Sequence, residues 1–173
     1  MAVVVVAGGS GTRFDPSGTP PPPGAPAAKL TAPLGGSTVL GLLLEGLRGW
    51  SASLPTPCPV VLVGPGGVRE DPPGGGPLAG FAAGLDALGE PAPELVVLLG
   101  GDQPFAASAV PRLLAALEGD PSLSAVVGLG PDGRRQPLLS AHRVRAVRGV
   151  LAGLPTVRHQ PLRALFGGAA GGV

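Results

Sequence analysis

The stretch VVVVAGGSGTRF, residues 3–14, decides the fold class of this protein. Four consecutive valines without polar alternation are typical of a strand that is buried on both faces, as in a parallel sheet. Glycines follow at once, and a glycine lets the backbone turn its N–H groups toward a ligand without interference from a Cβ atom. The stretch therefore predicts a buried strand that ends in an anion-binding loop.

Three further apolar runs repeat this pattern, each bounded by Gly or Pro: 60–63, 95–99 and 125–127. Helical patterns lie between the runs, at 38–47, 77–88 and 108–117, with Ser108 as a candidate N-cap and Pro111 in the first turn. This alternation predicts an α/β fold, with one Rossmann-like, mostly parallel sheet and helices on both faces. Ligands of such sheets bind beyond the carboxyl ends of the strands, so the loops there are the candidate site.

The whole chain, 1–173, is predicted to form a single domain with two irregular segments. Residues 16–28, PSGTPPPPGAPAA, are rich in Pro, Gly and Ala and are expected to form an extended, flexible loop. The tail 167–173, GGAAGGV, is expected to fray.

Composition excludes several classes of function. The formal net charge is +1, with 12 basic and 11 acidic residues. The sequence therefore shows no excess of basic residues that would indicate nucleic-acid binding. No apolar run reaches the ~18 residues of a spanning helix, and the N-terminus has no basic leader, so a cytoplasmic location is expected. Cys58 is the only cysteine, which excludes an internal disulfide and favours a buried, inert thiol.

The glycine-rich loop carries the side chains of a phosphate site. Ser10 and Thr12 supply hydroxyl donors, and the Arg13 guanidinium is a cationic fork that matches phosphate oxygens. A Walker A loop is disfavoured because no Gly-Lys-Ser/Thr follows, and a dinucleotide fingerprint because Phe14 stands where its third glycine belongs. An ordinary turn stays open as the alternative, since 31 residues of this chain are glycine.

Lys29 and Asp102 are the other candidates that the residues themselves suggest. Lys29 is the only lysine among the 12 basic residues, so a compact ammonium is predicted to be required there, where it can contact phosphate oxygens. Asp102 lies just after the apolar run 95–99, at the ligand-binding edge of the sheet. Mg²⁺ commonly takes one or two carboxylates together with substrate phosphates, which makes Asp102 a candidate metal ligand. A turn-capping aspartate is the alternative.

Several stretches together resemble the molybdenum cofactor guanylyltransferases, a family of the nucleotidyltransferase superfamily. They are VAGGSGTRF with KLTAPLGG (6–14 and 29–36), EDPPGGGPLAG (70–80), LLGGDQPF (98–105), RQPLLSA (135–141) and PLRALF (161–166). The stretches follow the family's order over nearly the whole chain. That resemblance implies Mg²⁺-dependent transfer of GMP from GTP to a molybdopterin-type cofactor, with release of pyrophosphate.

The resemblance also implies a role for each matching residue. It assigns the guanine and ribose to Val6, Ala7 and Gly8, and the phosphates to Gly9, Ser10, Gly11, Thr12 and Arg13. It implies that Lys29 contacts phosphate oxygens, Asp71 the nucleoside, and Asp102 both Mg²⁺ and nucleotide. Arg13, Lys29 and Asp102 are accordingly the catalytic candidates.

The chain departs from the family pattern, and other functions therefore stay open. Phe14 and Asp15 replace Met-Gly, an insertion precedes Lys29, Ala28 replaces an aspartate, and the family's C-terminal Asn-Thr-Pro-Glu-Asp segment is missing. The alternatives are cytidylyl transfer from CTP to molybdopterin, guanylyl transfer to a sugar phosphate, nucleotide binding without turnover, and an NAD-dependent oxidoreductase. The protein is expected to be a monomer or a small homo-oligomer.

Two arginines and two histidines remain. Arg134 and Arg135 follow a predicted Pro-Asp-Gly hairpin turn, where they either hold an acceptor phosphate or form a solvated tip. His142 and His159 lack metal-ligand spacing and are predicted to lie in helices or loops.

Overall fold

The valine run forms a central strand of a six-stranded sheet in the part of the chain that the structure describes. The structure is a computed structural model that describes residues 1–8, 28–167 and 170–172. The strands are β1 (Ala2–Val6), β2 (Pro33–Leu34), β3 (Ser37–Thr38), β4 (Val60–Val63), β5 (Leu95–Gly100), β6 (Ala125–Leu129), β7 (Arg135–Arg143) and β8 (Ala170–Gly172). The helices are α1 (Ala28–Thr31), α2 (Val39–Ala52), α3 (Pro77–Asp86), α4 (Val110–Gly119) and α5 (Val144–Gly153), with 3₁₀ segments at Ala106–Ala109 and Leu162–Phe166.

The large sheet has the order β4-β1-β5-β7-β6-β8. β1 pairs in parallel with both β4 and β5, and β6 pairs in parallel with β8. β7 lies between β5 and β6 and is antiparallel to both. The predicted α/β fold with a mostly parallel sheet is thereby confirmed, and β7 is an addition to the four predicted strands.

The valines of β1 fill both layers of the core, as their unbroken apolar run predicts. Val3 and Val5 belong to one hydrophobic cluster together with residues of α2 and α4, such as Leu47 and Leu113. Val4 and Val6 belong to a second cluster together with residues of α3 and α5, such as Phe81. Helices on both faces of the sheet are therefore confirmed.

Three local predictions change in the structure. Ser108 was predicted as the N-cap of the helix, but it lies inside the first 3₁₀ segment, where its hydroxyl donates to Phe105 O at 2.8 Å. Ala109 is the N-cap of α4 instead, and Pro111 lies in the first turn of that helix as predicted. His142 was predicted in a helix or loop, but it lies in β7, because the hairpin after Gly133 returns the chain into the sheet. The tail, predicted to fray, contributes β8 at the sheet edge.

The other segment-level predictions have mixed outcomes. Cys58 is buried as predicted, and burial raises the pKa of its thiol. Most of the predicted loop 16–28 lies outside the described residues; only its last residue, Ala28, is described, at the start of α1. No helix in the described parts of the chain is long and apolar enough to cross a bilayer.

His142 is a neutral imidazole in the core. The Ser140 hydroxyl donates to Pro137 O and lies 2.8 Å from His142 Nε2, so the imidazole donates its Nε2 proton to Ser140 Oγ. Nδ1 has no partner among the described residues, and the ring packs between Phe81 and Phe166. Burial without a counter-charge lowers the pKa of His142 to about 4.

This burial predicts a pH-dependent stability. Between pH 6.5, the ordinary pKa, and about 4 the unfolded chain takes up a proton at this position and the folded chain does not. The free energy of unfolding should therefore fall by about 3 kcal/mol in total as the pH drops through this window. Above pH 6.5 the His142 imidazole is neutral in both states and should not affect the free energy of unfolding. Urea unfolding from pH 7 to 4 measures the slope.

His142→Leu should remove this part of the slope, because leucine carries no titrating group into either state. His159→Asn is the matched control: it removes the other histidine, which is exposed and has a positive φ of 58° that asparagine tolerates. The control should retain the slope. A His142→Leu profile that parallels the wild type would contradict the assignment.

Candidate active site

The carboxyl ends of β1, β4 and β5 meet at one edge of the sheet. Beyond the strands, Ala7 N donates to Val63 O at 2.8 Å and Gly101 N donates to Val6 O at 2.9 Å. A Cβ atom at Gly101 would lie 2.9 Å from Ala7 Cβ, and a Cβ atom at Gly64, where φ is 135°, would lie 3.0 Å from the carbonyl group of Ala7. Glycine at these two positions therefore allows the loops after β4 and β5 to close against the end of β1.

A cavity of about 450 Å³ opens at this edge. Its apolar lining consists of Val6, Ala7, Leu30, Val63, Pro77 and Leu138. Its charged groups are Lys29, Glu70 and Asp102, and the Gly8, Gly74 and Gly76 backbones also face it. An apolar pocket with a few convergent polar groups is the usual form of a small-molecule site.

Lys29 and Asp102 form an ion pair at this cavity. Lys29 Nζ donates to Asp102 Oδ2 at 2.7 Å, and the two side chains are 33% and 41% exposed. Lys29 lies on α1, which is anchored because Leu30 is buried against Ala7. The two residues that the sequence suggested independently, 73 positions apart, are therefore brought into direct contact.

The turn after β5 holds Asp102 in place. Gln103 Oε1 accepts from Gly100 N at 3.3 Å, and Gln103 N donates to Gly100 O at 3.2 Å. A Cβ atom at Gly100 would lie 2.9 Å from Asp102 Oδ1, so the carboxylate folds back over the strand end. Asp102 thus lies at the carboxyl end of β5, the edge of the sheet where the sequence predicted it.

The remaining predicted site residues divide into three groups. Val6, Ala7 and Gly8 line the cavity. Gly9, Ser10, Gly11, Thr12 and Arg13 lie outside the described residues. Asp71 is exposed and is not part of the cavity lining, whereas its neighbour Glu70 is half-buried, lines the cavity and accepts from Gly74 N at 3.0 Å.

Glu70 is a residue that sequence reasoning missed. The signal was present as the adjacent acids Glu70-Asp71, of which the resemblance selected the second. Consecutive side chains of a non-helical chain point in different directions, so only one of the two faces the cavity. The backbone path of the 64–76 loop, which the sequence does not reveal, decides which one.

A second cavity, of about 410 Å³, adjoins the first. The two share Pro77, Asp102 and Leu138 in their linings. Gln103, Gln136 and Arg163 are the other polar side chains that line it. Leu138 belongs to β7, so the unpredicted strand contributes to both cavities.

The predicted hairpin arginines do not reach either cavity. Arg134 Nε lies 3.3 Å from Asp132 Oδ2, and its side chain is 84% exposed. Arg135 is exposed at the start of β7 and is absent from both linings. The solvated hairpin tip is therefore the alternative that this geometry favours.

A larger groove, of about 890 Å³, lies at the opposite edge of the sheet, where β5 begins. Two of its three arginines are already paired with carboxylates: Arg143 with Glu94 at 3.5 Å and Arg148 with Glu90 at 2.9 Å. It is also remote from the carboxyl ends of the parallel strands, where ligands of such sheets bind. We therefore place the candidate site at the Lys29–Asp102 pair.

The donor set fits a metal that is shared with a polyphosphate. Within the described residues no group of three or more His, Cys, Asp or Glu side chains could hold a metal ion. Asp102 is a partly exposed carboxylate beside an apolar cavity, and Mg²⁺ commonly binds through one or two carboxylates together with phosphates and waters. The residues present therefore suit a metal that arrives with its substrate rather than one enclosed by protein ligands.

A sequence profile for the MobA-like NTP transferase domain matches residues 3–169. The chain belongs to this family. The match spans both cavities, the Lys29–Asp102 pair and every strand of the large sheet apart from its last. No protein of curated function matches the sequence.

Solved structures share the fold. Molybdopterin-guanine dinucleotide biosynthesis protein A from Archaeoglobus fulgidus is similar over 100% of this chain and 83% of its own, with TM-score 0.60 and 19% identity. 2-C-methyl-D-erythritol 4-phosphate cytidylyltransferase from Thermus thermophilus is similar over 100% and 87%, with TM-score 0.56 and 19% identity. Rv0371C from Mycobacterium tuberculosis H37Rv, in complex with manganese, is similar over 99% and 85%, with TM-score 0.56 and 20% identity. Identities this low establish the fold alone.

Proposed function

We propose that this nucleotidyltransferase-family protein transfers GMP from GTP to a molybdopterin-type cofactor, with release of pyrophosphate and with Mg²⁺ as cofactor. The observation that carries the proposal is the Lys29–Asp102 pair, 2.7 Å apart, beside an apolar cavity at the carboxyl ends of β1 and β5. The stretches behind the resemblance to the guanylyltransferases also supply cavity linings. Gly76, Pro77 and Gly80 belong to one of them, and Gln136, Pro137 and Leu138 to another.

The donor nucleotide is proposed to occupy the first cavity. Its apolar walls suit a base and ribose, while Gly8 begins the glycine-rich loop to which we assign the phosphates. Arg13, in that loop, and Lys29 would supply positive charge at the phosphate oxygens. Asp102 would bind Mg²⁺, which when present adds positive charge at the same oxygens.

The chemistry needs positioning and charge more than proton transfer. An oxygen of the acceptor phosphate forms a bond to the α-phosphorus of GTP, and the α–β bridging P–O bond breaks with its electron pair leaving on pyrophosphate. Negative charge builds on the α-phosphoryl oxygens and on the leaving group. Fixed cations and backbone donors stabilise that charge because they require no reorganisation during the reaction.

A carboxylate is proposed to recognise guanine, whose N1 and N2 protons both point in one direction. The resemblance assigns this role to Asp71, whereas Glu70 is the neighbour that lines the cavity. We therefore propose that the base is read by this acidic pair, with Glu70 as the residue in contact. Cytosine lacks the paired donors, so a carboxylate here favours guanine.

Thermal shift measurements with GTP, CTP, ATP and NAD, each with and without Mg²⁺, test the donor site. A ligand present at a hundredfold excess over its Kd stabilises the native state by about 2.7 kcal/mol. For a domain of this size that corresponds to a rise in Tm of about 5–10 °C. We expect this rise for GTP with Mg²⁺.

The same measurement on Glu70→Gln and Asp71→Asn identifies the carboxylate that reads the base. Glu70→Gln should lose most of the GTP shift, and Asp71→Asn should retain it. A preference for CTP would transfer the proposal to cytidylyl transfer. An absence of any nucleotide shift would contradict the proposed function.

A further inference from the structure

One loop of the first cavity is held from outside by a distant segment of the chain. We call residues 70–76 the base loop, because they include Glu70 and contribute to the lining of that cavity. The Arg158 guanidinium donates from Nη1 to Pro72 O at 2.6 Å. This hydrogen bond joins two positions that are 86 residues apart in the sequence.

The residue after Arg158 adds a second hydrogen bond to the base loop. His159 N donates to Gly75 O at 2.6 Å, from a residue whose φ is 58°. A residue with a Cβ atom adopts this left-handed conformation only where surrounding contacts stabilise it, and the bond to Gly75 O is such a contact. The Arg158 side chain also packs closely here, since a Cβ atom at Gly75 would lie 3.4 Å from Arg158 Cγ.

The two donors lie on a segment that the core holds in place. They follow α5 and precede the second 3₁₀ segment, whose Leu162 and Leu165 are buried against residues of α3 and α5. Arg158 is half-buried, and its backbone N–H donates to Thr156 Oγ1 at 3.2 Å. The dipeptide of residues 158–159 is therefore a fixed support for the base loop.

The base loop depends on this support for the direction of its carboxylate. Within the part of the chain that the structure describes, hydrogen bonds from beyond residue 80 reach the base loop only from Arg158 and His159. The Glu70 carboxylate accepts from Gly74 N at 3.0 Å, which ties the side chain to the loop itself. A carboxylate has about four lone-pair sites, so this contact leaves capacity for the donors of a base.

We propose that Arg158 is a positioning residue for guanine selectivity, which holds the base loop so that Glu70 faces the N1 and N2 protons of the base. The inference rests on the proposed function, in which Glu70 reads the base. Arg158 itself does not line the cavity. Because a hydrogen bond weakens steeply when its geometry departs from the ideal, a shift of the base loop would remove the discrimination while the cavity persists.

Inosine triphosphate, which lacks the N2 amino group of GTP, measures this selectivity. In the wild type with Mg²⁺, GTP should bind about 10- to 150-fold more tightly, the range for one hydrogen bond to a charged group. Arg158→Ala should reduce this ratio by about tenfold, through weaker GTP binding. Arg158→Lys keeps the aliphatic stem and a donor, and it should recover part of the ratio. A general destabilisation would weaken both nucleotides alike and leave the ratio unchanged.

A double variant tests whether Arg158 acts through Glu70. Glu70→Gln should lower the ratio by itself, and adding Arg158→Ala should lower it no further, because both changes affect the same contact. Arg134→Ala removes an exposed arginine outside both cavities and is the matched control, which should keep the wild-type ratio. A further fall in the double variant, or an equal fall in Arg134→Ala, would overturn the role of Arg158.

Amide hydrogen exchange of the protein without nucleotide separates this inference from the proposed function. Arg158→Ala should speed exchange in peptides that cover the base loop by about tenfold and leave the buried strand β1 unchanged. Unchanged exchange would overturn the support by Arg158, and faster exchange with an unchanged nucleotide ratio would overturn its role in selectivity. A wild type that binds both nucleotides equally would contradict the proposed reading of the base, whatever the exchange shows.

Discussion

Replacing Asp102 with asparagine is expected to slow nucleotidyl transfer by about 10²- to 10³-fold. Asp102 is the carboxylate that the two cavities share, and among the described residues no other acid lines both of them. Asparagine keeps the size and the hydrogen-bonding oxygen of the side chain but removes the charge that we assign to the metal. The loss should therefore appear in turnover and in the Mg²⁺ dependence of GTP binding.

The Asp102→Asn variant should fold normally. The ion pair with Lys29 is partly exposed, and such pairs contribute only about 0–1 kcal/mol to stability. Pyrophosphate release in the presence of GTP and acceptor measures the rate, and a thermal melt reports the fold. Asp86→Asn, at an exposed position at the end of α3, is the control and should keep wild-type activity. Wild-type turnover and unchanged Mg²⁺ dependence in Asp102→Asn would refute the metal assignment.

Replacing Lys29 with alanine is expected to weaken GTP binding by about 10- to 150-fold, the range for one hydrogen bond to a charged group. Guanosine, which has no phosphate, should bind almost as it does to the wild type. This difference follows from the position of the ammonium beside Asp102 at the edge of the cavity, rather than among the apolar walls that we assign to the base.

Lys29→Arg should not restore full binding, because a planar guanidinium does not reproduce a compact ammonium within 2.7 Å of a carboxylate. Arg112→Ala is the control for the loss of one positive charge, at an exposed position on α4. Isothermal titration with GTP and with guanosine supplies both constants. Equal losses for the two ligands in Lys29→Ala would show that Lys29 does not contact phosphate.

Residues with a local signature could be predicted from the sequence. The valines of β1 identified a strand buried on both faces, because a run without polar alternation leaves no face for solvent. Lys29 and Asp102 were identified by chemistry and position: the single lysine of an arginine-rich chain, and an acid just beyond a buried strand. The structure then places these two side chains in contact.

Residues whose role depends on the path of a neighbouring segment could not be predicted in this way. β7 has Pro137 within it and lies between two strands that precede it in sequence, so neither its composition nor the order of elements predicted it. Its insertion buries His142 and brings Leu138 to both cavities.

The sequence by itself determined the class of the sheet, the edge that we assign to ligands, and the acid and ammonium at that edge. These follow from side-chain periodicity and from the common carboxyl end of parallel strands, which are properties of single segments. Only the tertiary structure decided that Glu70 rather than Asp71 lines the first cavity, and that Arg163 rather than Arg134 lines the second. Those choices depend on how loops from distant parts of the chain pack against one another, and no local pattern encodes that packing.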